Sequence, residues 1–340
     1  MPRAAKPETD HQLDLFAGRR DAAPPQPAPV GAAPPTPRAR ELAAALPPQL
    51  RFGSSSWAFP GWRGLVYDRR YSASRLAQEG LGAYARHPLF RAVGIDRTHY
   101  QPLTAAELAA YAAAVPADFR FVVKAHDAVS LVRWPDLPRF GAQRGGENPN
   151  FLNPAYTAEQ VVAPFVEGLG DKGGALLFQF APQEMGSPAR FAKRLARFLT
   201  ALPRGPLYAV ELRNRELVTA DYAAALAAAG AAHCANVHPR MPDVRAQTAL
   251  AEAWRAPALL VRWLLQEGMT YEEAGRKWMP FDKLARIDRA ARRAVADVAL
   301  EAVARGQQVF VTVANNAEGC APLSILALAE EVARGLPRTV

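Results

Sequence analysis

The sequence repeats one rhythm eight times: a short run rich in β-branched and aromatic residues, a polar loop, then a longer stretch with helical spacing. The runs are Leu50 to Ser56, Ala92 to Arg97, Phe119 to Ala125, Ala175 to Phe180, Leu207 to Arg213, Ala232 to His238, Ala258 to Trp263 and Gln308 to Ala314. Helix punctuation falls between them. Thr104 and Glu107 form a capping box ahead of Leu108 and Tyr111, and Ser187-Pro188 opens a stretch carrying Phe191, Leu195, Phe198 and Leu202. Eight alternations within about 290 residues is the count of a closed (β/α)8 TIM barrel, an α/β single domain. A doubly wound open sheet is the alternative, but no Gly-rich phosphate fingerprint follows the first run.

The barrel domain is expected over residues 49–340. Residues 1–48 are Pro- and Ala-rich, with prolines at 24, 25, 27, 29, 34, 35, 37, 47 and 48 that oppose both a helix and a sheet ladder, so a disordered tail is expected there. Within it lies one apolar island, Gln12-Leu13-Asp14-Leu15-Phe16, of the kind a docking peptide presents.

Charge and cysteine content narrow the function classes. Lys and Arg exceed Asp and Glu by 41 − 32 = 9; residues 1–50 carry 6 − 5 = +1, which leaves 9 − 1 = +8 on the body. A basic body favours nucleic acid or phosphorylated substrates. Cys234 and Cys320 lack the paired spacing of a disulfide framework or thiolate metal site. No signal-peptide pattern opens the chain, and its most apolar stretch, Ala223 to Val237, is short and broken by Gly230 and His233. A cytoplasmic protein with no membrane partner is expected.

In a barrel the working face lies at the carboxyl ends of the strands. The polar residues gathered there include Trp57 after the first run, Asp96, Thr98 and Tyr100 after the second, and Lys124 and His126 after the third. Gln179 follows on the fourth, Glu211 and Arg213 on the fifth, His238 on the sixth, Arg262 on the seventh, and Asn315 and Asn316 on the eighth. Burying such groups without partners would cost several kcal/mol each, so together they read as a ligand site. Glu211, Lys124 and His126 are the candidate catalytic residues, and the others are candidate ligand contacts. Arg213 and Arg262 are suited to an anionic group, and Asn315 and Asn316 to hydroxyls. Residues two apart on a strand share a face, so Glu211 and Arg213 point the same way; a structural ion pair is the competing reading. His126, Glu211, His238 and Asp96 lack a helix-type ligand spacing, so no metal site is assigned, and a divalent cofactor stays an open question.

Two loops exceed what a barrel needs. One, His126 to Thr157, carries Trp134 and Phe140; the other, Leu264 to Lys283, interleaves Tyr271, Arg276, Lys277, Trp278 and Phe281. The second suits either phosphate contact with stacking or an amphipathic cover that packs Trp278 and Phe281 on the rim.

Several segments carry a resemblance. Gly53-Ser54-Ser55-Ser56-Trp57 with Gly61-Trp62-Arg63-Gly64, Phe119 to Ala125, Leu177 to Pro182, Val210-Glu211-Leu212-Arg213, and Asn315-Asn316 with Gly319 and Ala321 make the chain resemble the YecE-like, domain-of-unknown-function-72 family. The resemblance implies a TIM barrel and little about activity. The chain departs from the family pattern at Gly94 to Tyr100, where a glutamate and an asparagine are usual. It departs again at Asn236 to Pro239, where an aspartate is usual, and at Arg262-Trp263-Leu264-Leu265, where a histidine is usual. The departures imply a remodelled pocket. Residues 12–16 separately resemble the bacterial sliding-clamp binding motif, which implies that Gln12 hydrogen-bonds while Leu15 and Phe16 fill an apolar pocket, with Leu13 and Asp14 between them.

Three functions compete. The first is a DNA-repair or replication-associated protein, with a hydrolase or phosphodiesterase as the first expected activity, docked on the sliding clamp and binding DNA or another phosphate-bearing ligand. The second is a metal-free enzyme acting on a small sugar or phosphate ester. The third is a non-catalytic nucleic-acid binding module.

Overall fold

Eight parallel strands pair edge to edge and close on themselves in chain order in the computed structural model, which describes residues 28–337. They are β1 Leu50–Ser54, β2 Phe90–Ile95, β3 Arg120–Lys124, β4 Gly173–Phe180, β5 Tyr208–Leu212, β6 Ala232–Val237, β7 Ala258–Trp263 and β8 Gln308–Val313. Closure sets Phe52 of β1 opposite Val311 of β8 and leaves no open sheet edge to cover. The (β/α)8 expectation holds. The strands stop one or two residues short of several expected ends, so Ser55, Ser56, Arg97, Arg213 and His238 stand on the loops just beyond them.

Alternation along each strand sorts the side chains. Ala92, Val122, Ala175, Leu177, Ala209, Ala232, Cys234, Ala258, Leu260 and Phe310 form a cluster of their own inside the barrel, where small residues fit the narrow interior. Their neighbours in sequence, among them Phe121, Phe178, Val210 and Val311, face outward into the layer shared with the helices. The helix Pro188–Ala201, capped by Ser187, presses Phe191, Leu195, Phe198 and Leu199 into that layer. Each such side chain contributes about 1.5–3 kcal/mol by leaving water. The capping box expected at Thr104 is present: Glu107 N–H donates to Thr104 Oγ1 (3.2 Å) and Thr104 N–H to Glu107 Oε2 (2.9 Å). Cys234 and Cys320 are both buried and free. Among the described residues, no helix is long and apolar enough to cross a membrane.

The structure moves one boundary. Within the stretch expected to be tail, Pro37–Ala45 is a helix that buries Ala39 and Leu42 and joins Arg38 Nε to Glu330 on the final helix, Ala321–Gly335 (3.4 Å). Val30 and Ala33 are buried too, and Ala33 N–H donates to Val66 O (2.8 Å). Proline did not prevent this because Pro37 occupies the first helical turn, where its missing N–H goes unneeded, and Thr36 caps the helix. The docking motif at residues 12–16 lies outside the described residues.

The two long loops have structure of their own. Residues 264–288 contain the helix Tyr271–Trp278 with a Thr270/Glu273 capping box. Buried Glu318 holds this segment down, accepting from Asp288 N–H (2.7 Å) and from Arg292 Nη2 (2.8 Å).

Candidate functional site

On five strands, β3 to β7, the inward-facing stripe changes from apolar to polar or charged near its carboxyl end. Val122 on β3 is followed two residues on by Lys124, Leu177 on β4 by Gln179, Ala209 on β5 by Glu211, Cys234 on β6 by Asn236, and Leu260 on β7 by Arg262. Because the period along a strand is two, each polar residue continues the inward face of the apolar one before it. The barrel therefore has an apolar plug with a charged layer on top.

Glu211 is the centre of that layer. It is 0 % exposed; its Oε1 accepts from Arg213 Nε (2.6 Å) and Nη2 (2.5 Å), and its Oε2 from Arg262 Nη1 (3.0 Å). The other end of Arg262 forks onto Asp96, with Nη2 at 3.1 Å from Oδ1 and 2.8 Å from Oδ2. Burial alone would push the Glu211 carboxyl up, but Arg213 and Arg262 outweigh it and hold the group down at about 2. Burial likewise opposes the charge on Arg262, and Asp96 and Glu211 more than restore it. Glu211 is thus fixed in its ionised form between Arg213 and Arg262, and Arg262 carries the link on to Asp96.

Lys124 differs from the arginines. It is 8 % exposed and lines the cavity, yet the two nearby carboxylates are taken by arginines, and among the described residues its Nζ forms no hydrogen bond or ion pair. Burial lowers its ammonium to about 8; Asp96 and Glu211 pull it up while Arg262 and Arg213 push it down.

Above this layer opens a cavity of about 650 Å³. Its floor includes Asp96, Lys124, Gln179, Arg213 and Arg262, and its rim includes Tyr100, His238, Arg240 and Tyr271. Phe59 and Phe281 meet edge to face at 6.0 Å and wall one side. Trp62 stands behind them and donates its indole N–H to Asn315 Oδ1 (3.2 Å), which also accepts from Ala321 N–H (2.9 Å). With Asn315 Oδ1 so committed, its Nδ2 is left buried and unpartnered among the described residues, as are Asn316 Oδ1 and Ser55 Oγ. Buried polar atoms are seldom left so, and these three belong to residues that line the cavity. His238 is pushed down to about 4 by burial, with Arg213 adding to it, so the ring is neutral at pH 7. Its Nδ1 accepts from Arg240 N–H (3.2 Å), which puts the ring proton on Nε2.

The structure gathers most of the expected site residues and sets three aside. Trp57 is buried in the core with its Nε1 donating to Leu76 O (3.0 Å). Thr98 donates to Lys124 O (2.6 Å) and Ile95 O (2.9 Å), tying the ends of β2 and β3 together. His126 turns to the Tyr156 hydroxyl (2.7 Å) and to Asp127 (3.6 Å) and is not among the residues that line the main cavity. Glu211 is present but sits beneath the lining, where it holds two arginines. Several lining residues were not among the expected site residues, among them Phe59, Trp62, Arg240 and Phe281. Trp62 and Phe281 each stood in a stretch singled out for other reasons. Trp278 packs against Leu264, Leu265 and Ala274, so the cover reading holds for it.

Among the described residues no group of three or more His, Cys, Asp or Glu side chains is placed to hold a metal ion. Asp96 and Glu211, the carboxylates of the charged layer, already bind arginines, so these residues do not fit a divalent-metal centre. A second cavity of about 760 Å³ adjoins the first, sharing the wall formed by Ala181 and Pro182, and is lined in part by Arg133, Arg190 and Arg194.

Comparison with known proteins agrees with this architecture. A family model described as "Protein of unknown function DUF72" matches residues 51–339. Among solved structures, a DUF72 family protein from Enterococcus faecalis V583 superposes with a TM-score of 0.56 at 17 % identity, covering 85 % of this chain and 97 % of that one. A DUF72 family protein from Thermotoga maritima MSB8 gives a TM-score of 0.55 at 18 % identity, covering 83 % of this chain and 98 % of that one. At such identities the structural likeness speaks to the fold. No curated protein matches.

Proposed function

The chain belongs to the DUF72 protein family, and on that premise we propose that the mouth of its barrel binds a phosphate-bearing ligand. The observation that carries this reading is the charge balance of the buried layer. Among the described residues Lys124, Arg213 and Arg262 face two carboxylates, Asp96 and Glu211, and Arg240 adds a further cation at the rim. In a cavity walled by low-dielectric protein one uncompensated positive charge is a strong attractor for an anion. Arg213 and Arg262 are held rigidly enough to present their remaining N–H groups to phosphate oxygens without losing side-chain freedom on binding.

The unpartnered atoms say what else the ligand carries. Asn315 Nδ2 is a donor, Asn316 Oδ1 an acceptor and Ser55 Oγ can be either, a set that suits the hydroxyls of a sugar. Phe59, Phe281 and Tyr271 give an apolar wall for a sugar face or a base. A volume of about 650 Å³ suits one nucleotide-sized group, and the adjoining cavity with its arginines offers a path for a longer polyanion. The motif at Gln12 to Phe16 supports a place of work, the bacterial sliding clamp, and so favours DNA as the source of that phosphate. For hydrolase chemistry at the mouth the available proton carriers are Lys124 and the neutral His238, while Glu211 positions the arginines.

Calorimetric titration of the full chain with ribose 5-phosphate and with ribose tests the reading. The phosphate ester is expected to bind, ribose to bind at least tenfold more weakly, and Arg213→Ala to abolish the difference, since one charge-assisted contact contributes about 1.5–3 kcal/mol. Equal binding of the two sugars by the unaltered protein would overturn it.

A further inference from the structure

We infer that Lys124 is a carbonyl-capturing nucleophile, and that the ligand of the barrel mouth is an aldehyde or ketone that also carries a phosphate. The phosphate half rests on the function proposed above; the carbonyl half comes from the surroundings of Lys124.

A lysine whose role is to neutralise a buried carboxylate sits on that carboxylate. Lys124 does not, because arginines already hold both: Arg213 and Arg262 take Glu211, and Arg262 takes Asp96. Its stem is fixed at the end of β3 and its Nζ is left without a partner among the described residues, at a wall of the main cavity. The groups that face it are Asp96 from the end of β2, Glu211 and Arg213 from β5 and its end, and Arg262 from β7. Together with burial they bring its ammonium to about 8, so about a tenth of the side chain is free amine at pH 7. An exposed lysine near its ordinary value is less than about one part in a thousand free amine at that pH.

The chemistry needs no further reagent. The Nζ lone pair attacks the carbonyl carbon; a C–N bond forms and the C=O π bond opens to a hydroxyl. The carbinolamine then expels that hydroxyl as water, the amine's two protons leave with the oxygen, and an imine remains. Nothing is oxidised or reduced. The shared chemistry, an aldehyde close to a phosphate, is found both in a free open-chain sugar phosphate and in the ring-opened deoxyribose of an abasic site in DNA.

Reductive trapping tests the inference. The full chain is incubated with glyceraldehyde 3-phosphate and cyanoborohydride at pH 7, and the adduct is located by peptide mapping; plain glyceraldehyde is run in parallel. We expect labelling of Lys124 at least about tenfold faster than of the exposed Lys193 and Lys277, suppressed by inorganic phosphate and absent in Lys124→Arg. Labelling confined to Lys193 and Lys277, while ribose 5-phosphate still binds by calorimetry, overturns the inference and leaves the phosphate reading intact. Fast labelling of Lys124 by both aldehydes, unaffected by phosphate, supports the nucleophile and overturns the phosphate reading. An oligonucleotide with one abasic site, compared with the intact sequence, separates the sources: a cross-link to Lys124 specific to the abasic strand identifies DNA, and its absence alongside a sugar-phosphate adduct identifies the small molecule.

Discussion

Arg262 on β7 reaches past β6 to donate a 3.0 Å hydrogen bond to Glu211 on β5. The bond joins residues 51 positions apart and spans a strand that contributes nothing to it, so it belongs to the charged interior and not to the ladder. It also explains why a carboxylate can be fully buried here: its two oxygens meet two guanidinium groups, and it ionises against the pull of desolvation.

Removing that carboxylate should therefore affect stability before chemistry. Glu211→Gln leaves Arg213 and Arg262 facing each other without their shared anion, and loss of one partner of a buried pair typically costs about 3–5 kcal/mol. Urea unfolding followed by circular dichroism is expected to show a lower midpoint with the slope unchanged. A midpoint equal to that of the unaltered protein would contradict the role assigned to Glu211.

The same carboxylate sets an acid limit. Its folded value, about 2, lies below its ordinary 4.5, so its ionisation stabilises the fold above pH 4.5, and that contribution is lost as pH falls from 4.5 towards 2. Lys124 works in the opposite sense. Its value is lowered from 10.5 to about 8, so the unfolded chain binds more protons in that interval and stability rises as pH climbs from 8 to 10.5. Stability measured across this range is expected to lose its low-pH fall in Glu211→Gln and its high-pH rise in Lys124→Met.

Gly61 gives a test of the rim that leaves the charged layer alone. A Cβ there would stand 1.9 Å from the backbone oxygen of Pro280, and backbone cannot yield as a flexible side chain would. Gly61→Ala should push the loop bearing Phe59 away from the one bearing Phe281, whose rings now meet at 6.0 Å. Affinity for ribose 5-phosphate is expected to fall about tenfold, and stability by about 1–3 kcal/mol, as for other overpacked positions. Unchanged affinity would remove the aromatic wall from the site.

The docking motif is tested with purified clamp. The full chain is expected to bind weakly and reversibly, and Leu15→Ala/Phe16→Ala to lose detectable binding, since each buried side chain contributes about 1.5–3 kcal/mol. Binding that survives the double substitution would sink the clamp assignment, and the DNA source of the ligand would then rest on the barrel alone.

The barrel and much of its mouth were legible before any coordinates. Strand runs, capping residues and the change from apolar to charged at strand ends are local patterns, and local patterns follow from backbone geometry that neighbouring residues decide. Asp96, Lys124, Gln179, Arg213, Arg262, Asn315 and Asn316 all emerged by their place at strand ends and all line the cavity. Trp57, Thr98 and His126 emerged by the same rule and do not, because they stand two or three residues beyond their strands, where the chain has turned and the alternation no longer says where a side chain points. The helix Pro37–Ala45 was hidden by prolines that turn out to precede it or to open it.

The partnerships between these residues come from the folded barrel. That Glu211 is shared by two arginines, that Trp62 reaches Asn315 across the junction of β1 and β8, and that Lys124 has no side-chain partner among the described residues are all consequences of closing the barrel. Which residue types stand at each strand end follows from local sequence alone, since period and propensity act over a few residues. Hydrogen bonds and charge interactions in a low-dielectric interior depend instead on ångström distances between residues far apart in the chain, and those distances exist only once the eighth strand has met the first.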